Sequence, residues 1–317
     1  MTHCLFKLEF STPVHFGAGD YAHSVESCRM NFAADTFFSA LCNIAVKTGE
    51  IDRLVGLVNN RRLSFTDAFP YKGDEYWLPR PMLTPKTERS GDPSARKKMK
   101  KLAFIPASGY TKYIASISGN GSFDPDDAMN DFGSFLVSTK AAIGQYEAEP
   151  YSVEIFRFGE KCGLWLAVKY ETREDERFVE RLVKLLGLGG IGGKVSSGYG
   201  KFTLVEVIKP ETAKGSAKSL LSLLDRKGGR YITLTTACAK DDELDRVIDG
   251  AEYQLVRRGG YAYSERSERV TKKRTGYLFA SGSSFTAEFG GEMPDVGMNM
   301  PHPVWRYGTP IFIGVDY

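Results

Sequence analysis

The stretch Gly187–Phe202, GLGGIGGKVSSGYGKF, decides how the chain reads, because seven of the fourteen positions from Gly187 to Gly200 are glycine. Gly187, Gly189 and Gly192 satisfy G-x-G-x-x-G, yet a dinucleotide site needs a strand before the glycines and a helix after them. Here a helical pattern comes first, over about Glu174 to Leu186 with Phe178, Leu182, Leu185 and Leu186 on its apolar face, and a strand pattern, Phe202 to Ile208, follows. That order excludes a Rossmann site. A Walker A loop is excluded too, since Leu188 and Val195 stand where glycine and Ser or Thr are required. Two readings remain open. Bare N–H groups around Gly192 and Gly193 can form a nest for phosphate oxygens, with Lys194 adding charge, Ser196 and Ser197 hydroxyls, and Tyr199 a ring for a base to stack on. Equally, the glycines can be a structural turn that lets helix and strand pack closely.

Outward from this turn, Leu5 to Phe10 reads as an opening strand, and Ser11 to Asp20, with Pro13, Gly17 and Gly19, as a loop. A helix is expected over Thr36 to Lys47, with Asp35 as N-cap, Phe37, Phe38, Leu41, Ile44 and Ala45 on one face, and Gly49 as the stop. Leu63 to Leu83 reads as extended around a turn at Gly73 and Asp74. Ala103 to Ile105 follows as a strand, then Tyr151 to Phe158 and Leu164 to Tyr170 as a hairpin through Gly159 to Gly163. The resulting order is an α+β, β-α-β-β-α-β ferredoxin-like (RRM-like) domain over residues 1–210, with insertions between its second and third strands. Lys209 to Arg230, rich in Lys, Ser and Gly, is the candidate boundary. Beyond it, residues 228–317 read as a second, smaller ferredoxin-like α+β domain, with strands near Tyr231, Tyr253, Tyr277 and Ile311 and an acidic helix near Asp241 to Ile248.

Charge is segregated along the chain. The net charge is +3, but Lys86–Lys101 holds seven bases and two acids, and so does Arg257–Arg274, leaving 28 bases against 35 acids elsewhere. Two basic segments on an otherwise acidic chain suit a polyanion, with nucleic acid the natural partner, although a lysine-rich loop is also simply a solvated one. In the second segment Arg257 and Arg258 precede Tyr261 and Tyr263, which on a strand face one side, either as a stacking platform or as core.

Other chemistries find little support. The amino terminus lacks a basic n-region and a long apolar run, so neither a signal peptide nor a membrane span is expected and a cytoplasmic location is the default. Cys4, Cys28, Cys42, Cys162 and Cys238 form no C-x-x-C pair and read as small buried apolar residues. The histidines, His3, His15, His23 and His302, have no metal-binding spacing, and no G-G-D-D motif occurs. No cofactor or metal is expected.

These features together resemble the RAMP superfamily of CRISPR effectors, whose glycine-rich loop lies between the last helix and last strand of a ferredoxin-like fold. More narrowly, ADTFFSAL at Ala34–Leu41, DAFPY and YWLPRPML within Asp67–Leu83, RRGGYAY at Arg257–Tyr263 and HPVWRYG at His302–Gly308 resemble the subunit-4 family of type III-A Csm complexes. The resemblance spans nearly the whole chain. It implies a non-catalytic, RNA-binding subunit for antiviral defence that caps the 5′ repeat-derived tag of the crRNA. Such a subunit contacts the large polymerase-like subunit on one side and a backbone RAMP subunit on the other.

The resemblance also implies a thumb-like hairpin that wedges into the guide–target RNA duplex, for which residues 84–102 are the candidate. RNA contacts are then expected from His15, Gly17 and Gly19 in the first loop and from Lys86, Arg89, Lys97, Lys98, Lys100 and Lys101 in the insertion. Further contacts are expected from the glycine loop at Gly192 to Tyr199, from Arg257, Arg258, Tyr261, Tyr263, Lys272 and Lys273, and from Arg306. Two other readings stand beside it. One is a metal-independent endoribonuclease of the same superfamily, cutting repeat RNA with His15 or His23 as general base. The other is a sugar or nucleotide enzyme that seats a diphosphate on the glycine loop.

Overall fold

Strand Thr2–Phe10 runs through the middle of the principal sheet because both its faces are apolar: Cys4, Phe6 and Leu8 point one way and Leu5 the other, all fully buried. The computed structural model describes residues 1–17, 25–86, 93–143, 148–262 and 271–317. The opening strand pairs antiparallel with Cys162–Tyr170 on one side and with Phe202–Ile208 on the other. Two short strands, Leu63–Phe65 and Phe69–Lys72, share the far edge of Cys162–Tyr170, and the sheet continues through Glu75–Pro79 to Phe104–Pro106. The four core strands thus lie in the order last, first, third, second, consistent with a ferredoxin-like layout.

Helices Ala34–Lys47 and Arg173–Gly189 cover one face of this sheet. The second begins in a capping box: Thr172 Oγ1 accepts the Asp175 N–H, and the Asp175 carboxylate accepts the Thr172 N–H, each at 3.2 Å. Leu182 and Leu186, four residues apart, face the core, whereas the expected burial of Leu185 does not occur; it turns about a quarter of the way round the helix from Leu186 and is exposed.

The opposite face is covered from the other end of the chain. Helix Gly215–Leu224 lies inside the stretch expected to be a linker, and it buries Leu220, Leu221, Leu223 and Leu224. They join Leu5, Phe69 and Trp165 in one apolar cluster that also takes in Ile232, Leu234, Ile311, Ile313 and Val315. Arg230–Thr233 sits between Ser284–Phe285 and Phe312–Val315 in a three-stranded antiparallel sheet. Leu255–Arg258 pairs with Gly276–Phe279, and Tyr261–Ala262 with Thr271–Lys272.

Three further expectations change. Ala148–Phe158 pairs along its length with Gly133–Ile143 as a separate two-stranded sheet, not with Cys162–Tyr170. The run CGLWLAV is apolar on both faces and is drawn into the main sheet, while the exposed Phe135, Leu136 and Val137 mark a strand outside it. The insertion expected to be a thumb-like hairpin carries instead a helix, Pro93–Lys101, with Met99 buried and its last carbonyls, of Met99 and Lys100, accepting from Arg80 Nη1. Of the cysteines, Cys4, Cys28 and Cys162 are buried, but Cys42 and Cys238 are half-buried.

Asp35 is not the cap of its helix either. The helix starts one residue earlier, and the Ala34 N–H is capped from a distance by Asp67 Oδ1 at 2.8 Å. Asp67 is buried in the break between Leu63–Phe65 and Phe69–Lys72. Its Oδ1 also accepts the Thr236 N–H at 2.9 Å, and its Oδ2 the Thr236 hydroxyl at 2.7 Å. Burial pushes this carboxyl above the ordinary range, and the bonds from Thr236 and Ala34 pull it back. Removing the acceptor orphans two buried N–H groups, so Asp67→Ala is expected to lose about 2–4 kcal/mol of stability, read as a fall in the urea midpoint at unchanged m-value.

Candidate nucleic-acid interface

The glycine loop proves to be a structural turn that also presents free donors. Gly187 and Gly189 belong to the last turn of helix Arg173–Gly189, so the loop proper begins at Gly190. A Cβ on Gly187 would sit 2.3 Å from the Phe202 carbonyl oxygen, and one on Gly200 would sit 2.0 Å from that of Ile191. The first loop of the chain clasps the turn from below: the Gly200 N–H donates to the Pro13 carbonyl at 2.9 Å and the Gly193 N–H to that of His15 at 2.8 Å. Among the described residues, the backbone N–H groups of Lys194, Val195 and Ser196 make no hydrogen bond. Three consecutive unbonded donors therefore stand beside the exposed Ser196 and Ser197.

Lys194 itself holds a left-handed conformation, φ +60°, that costs a non-glycine residue on the order of 1 kcal/mol. In that position its Nζ lies 4.6 Å over the Tyr151 ring and donates to the Tyr151 hydroxyl at 3.1 Å. Across the same junction Tyr199 donates to Ser138 Oγ at 3.2 Å while Lys140 Nζ lies 4.9 Å over the Tyr199 ring. The bond with Ser138, and Lys140 behind it, hold the Tyr199 phenol below the ordinary tyrosine range against the effect of burial. The hairpin Gly133–Phe158 is thereby fastened to the glycine loop by two lysine–tyrosine pairs. Sequence reasoning missed Lys140, Tyr151 and Ser138: the alternation along Tyr151 to Phe158 marked a strand around Tyr151, and nothing in FLVSTK marked Ser138 or Lys140.

His15 is buried beneath Gly193, and its Nδ1–H donates to the Glu154 carbonyl at 2.7 Å. It supports the loop through its own carbonyl, and its ring is committed to structure on the Nδ1 side. The adjoining Gly17 is exposed.

A second cluster forms around Asp35. Its Oδ2 pairs with Arg258 Nη2 at 3.2 Å, its Oδ1 accepts the Tyr307 N–H at 3.3 Å, and Arg258 also donates to Thr36 Oγ1 at 2.9 Å. Lys273 and the buried Arg306 face the same place. Burial pushes the Lys273 ammonium below its ordinary range; Asp35 raises it again, and Arg306 and Arg258 lower it further. Nearby, Tyr261 is 67% exposed opposite the exposed Lys272, which excludes the core reading of that ring, and Arg257 is exposed as well.

The first basic segment lies elsewhere. Lys98 pairs with Asp126 at 2.7 Å and Lys86 Nζ lies 4.4 Å over the Tyr317 ring, while Lys97, Lys100 and Lys101 are exposed. Gly19, His23, Arg89 and Tyr263 fall outside the described residues. Among those described, no group of three or more metal-binding side chains gathers, and no helix is long and apolar enough to cross a membrane.

Comparison with known proteins matches this arrangement to two families. The RAMP superfamily matches residues 7–203, and the CRISPR Csm4 C-terminal domain matches residues 226–315. The chain is 34% identical over 319 residues to the CRISPR system Cms protein Csm4 of Mycobacterium tuberculosis, covering 98% of this chain and 97% of that protein. It is 27% identical over 318 residues to the protein of the same name from Streptococcus thermophilus, covering 100% of both. Among solved structures it resembles a chain of the Csm3-Csm4 subcomplex in the type III-A CRISPR-Cas interference complex, with a TM-score of 0.66 at 17% identity over 100% of both chains. It also resembles a chain of the Csm1-Csm4 cassette in complex with cA4, with a TM-score of 0.63 at 17% identity over 99% of this chain and 98% of that one. At such identity the structural likeness concerns the fold.

Two glycines separate packing from mere composition. Gly200→Ala, at φ +75° with a backbone oxygen in the way, is expected to cost at least about 2 kcal/mol. Gly189→Ala meets nothing within 4 Å and sits in a helix, so it is expected to be neutral or to stabilise by up to about 1 kcal/mol. Thermal melts of the two variants check the contrast.

Proposed function

We propose, because the chain belongs to the RAMP superfamily and within it to the Csm4 proteins, that it is the RNA-binding subunit that caps the 5′ repeat-derived tag of the crRNA in a type III-A CRISPR effector. The observation that carries this reading is the junction of glycine loop and hairpin. Three free backbone N–H groups, Lys194 to Ser196, stand beside two ammonium groups, Lys194 and Lys140, and among the described residues no carboxylate pairs with either. Donors and cations of that kind suit the phosphates of a single strand, whose bases are splayed and free to stack. Tyr261, exposed beside Lys272, supplies one such surface.

The partners we infer are a large polymerase-like subunit and a backbone RAMP subunit, bridged by this chain for antiviral defence in the cytoplasm; the solved assemblies of Csm4 with Csm1 and with Csm3 support that reading. We assign the wedging role in the guide–target duplex to the hairpin Gly133–Phe158, with its exposed Phe135 and Val137, rather than to residues 84–102. We retain residues 1–210 and 228–317 as the two units, the second a smaller ferredoxin-like one, with helix Gly215–Leu224 packed between them. The subunit is read as non-catalytic: the His15 imidazole is buried and tied to Glu154.

Lys194→Ala is expected to weaken binding of a single-stranded RNA bearing the tag sequence and to flatten the log affinity against log salt plot by about 0.7, the share of one phosphate on a single strand. An unchanged slope removes Lys194 from the interface. Cleavage of repeat RNA by the metal-free protein replaces the capping role with the endoribonuclease reading.

A further inference from the structure

We infer that the strands Leu255–Arg258 and Gly276–Phe279, with their continuation Tyr261–Ala262 and Thr271–Lys272, carry a stacking strip for single-stranded RNA, in which Tyr277 is a second ring beside Tyr261. The inference rests on the RNA-binding reading above and extends it from the glycine loop to the C-terminal half.

The two strand pairs are stretches of one antiparallel ribbon. Between them Gly259 and Gly260 stand against Lys273, Arg274 and Thr275, one residue more on the return strand, and Gly260 carries the chain through this bulge at φ +93°. The rung before the bulge pairs Arg258 with Gly276. Arg258 Nη2 meets Asp35 Oδ2 at 3.2 Å and Thr36 Oγ1 at 2.9 Å, which ties that face of the ribbon to the start of helix Ala34–Lys47. The neighbouring rung pairs Arg257 with Tyr277, and because successive residues of a strand point to opposite faces, it turns the other way. Tyr277 is accordingly 64% exposed. Beyond the bulge Tyr261 and Lys272 form a further exposed rung, with Ala262 buried behind it.

Tyr261 follows Arg257 by four residues, so the two rungs lie roughly 13 Å apart along the ribbon, a span of a few nucleotides. The backbone holds them there: the Lys273 N–H donates to the Gly260 carbonyl at 2.9 Å and the Arg274 N–H to that of Val296 at 2.8 Å. Such a ribbon is fixed before any ligand arrives and loses little freedom on binding.

A tyrosine suits an exposed strand by its shape alone. What sets these two apart is their surroundings. Among the described residues neither ring meets another ring, and neither hydroxyl makes a hydrogen bond. Residues 253–262 and 271–279 contain no Asp or Glu at all. The side chains of Lys272 and Arg274 are exposed and, among the described residues, make no ion pair. Bare aromatic faces beside such cations select the occupant. An apolar protein surface would leave the cations uncompensated, and a duplex keeps its base faces inside the stack. A single strand brings a π-face and a phosphate with every nucleotide.

The test measures anisotropy of a labelled single-stranded oligoribonucleotide of tag sequence on the full chain across a salt series. Because most of the Tyr277 ring is exposed, its variants are expected to melt with the wild type. Tyr277→Ala is expected to weaken binding by about 5- to 150-fold, the worth of one stacked base, at an unchanged salt slope, since a neutral ring displaces no counterion. Tyr277→Phe is expected to restore the affinity and Tyr277→Leu to fail to. Lys272→Ala is expected to flatten the slope by about 0.7. Equal losses in Tyr277→Phe and Tyr277→Ala would assign the contact to the hydroxyl and overturn the stacking. If Tyr277→Ala binds as the wild type does while Lys194→Ala weakens binding, the strip falls and the glycine-loop reading stands, even where Tyr277→Ala impairs assembly with a protein subunit. If the wild-type chain binds no single-stranded RNA, the RNA-binding reading falls and the strip with it.

Discussion

The buried Asp67 carboxylate is the constraint on which the arrangement of this molecule depends. It caps the helix that follows the first loop, and with the same oxygen it accepts the Thr236 N–H from the C-terminal half. Around it, Tyr307 Oη accepts the Phe65 N–H at 2.8 Å and Thr235 Oγ1 donates to the Phe65 carbonyl at 3.0 Å. A strand break, a helix start and two distant segments are thus satisfied by one set of polar bonds in a dry place, where each unmade bond would cost most. Asp35 is released from capping as a result and is left to face the cations of Arg258 and Lys273.

The glycine loop shows how close packing and unspent donors coexist in fourteen residues. Glycines at 187, 190, 192, 193 and 200 are needed because another chain segment passes within contact of their Cα atoms. That close packing consumes the N–H groups of Ile191, Gly193 and Gly200. What it leaves over is Lys194 to Ser196, whose N–H groups make no hydrogen bond among the described residues.

Much of this was legible in the sequence, and the failures have physical reasons. Runs such as CLFKLEF and CGLWLAV carry their burial in their own pattern, and the amphipathic stripe of Arg173–Gly189 carries its helix, so the core strand order was recoverable. Gly133–Ile143 was not, because a strand with FLV exposed has no buried face to alternate against. Asp35 before a helical run looks like a cap on local grounds alone; only the fold brings Asp67 from 33 residues away to take that task. The stretch Lys209 to Arg230 reads as a boundary because its lysines, serines and glycines outnumber its leucines, though the four leucines of its run SLLSLLD, Ser219 to Asp225, lie in the shared core.

The two lysine–tyrosine pairs have a mechanical meaning. Among the described residues the strands Gly133–Ile143 and Ala148–Phe158 pair only with each other and have no strand partner in the main sheet, and each sends one side chain, Ser138 and Tyr151, to the segment Lys194–Tyr199. Any load that bends this two-stranded lever must either drag the turn with it or snap two polar links, so the two strands and the free donors of Lys194 to Ser196 share one fulcrum.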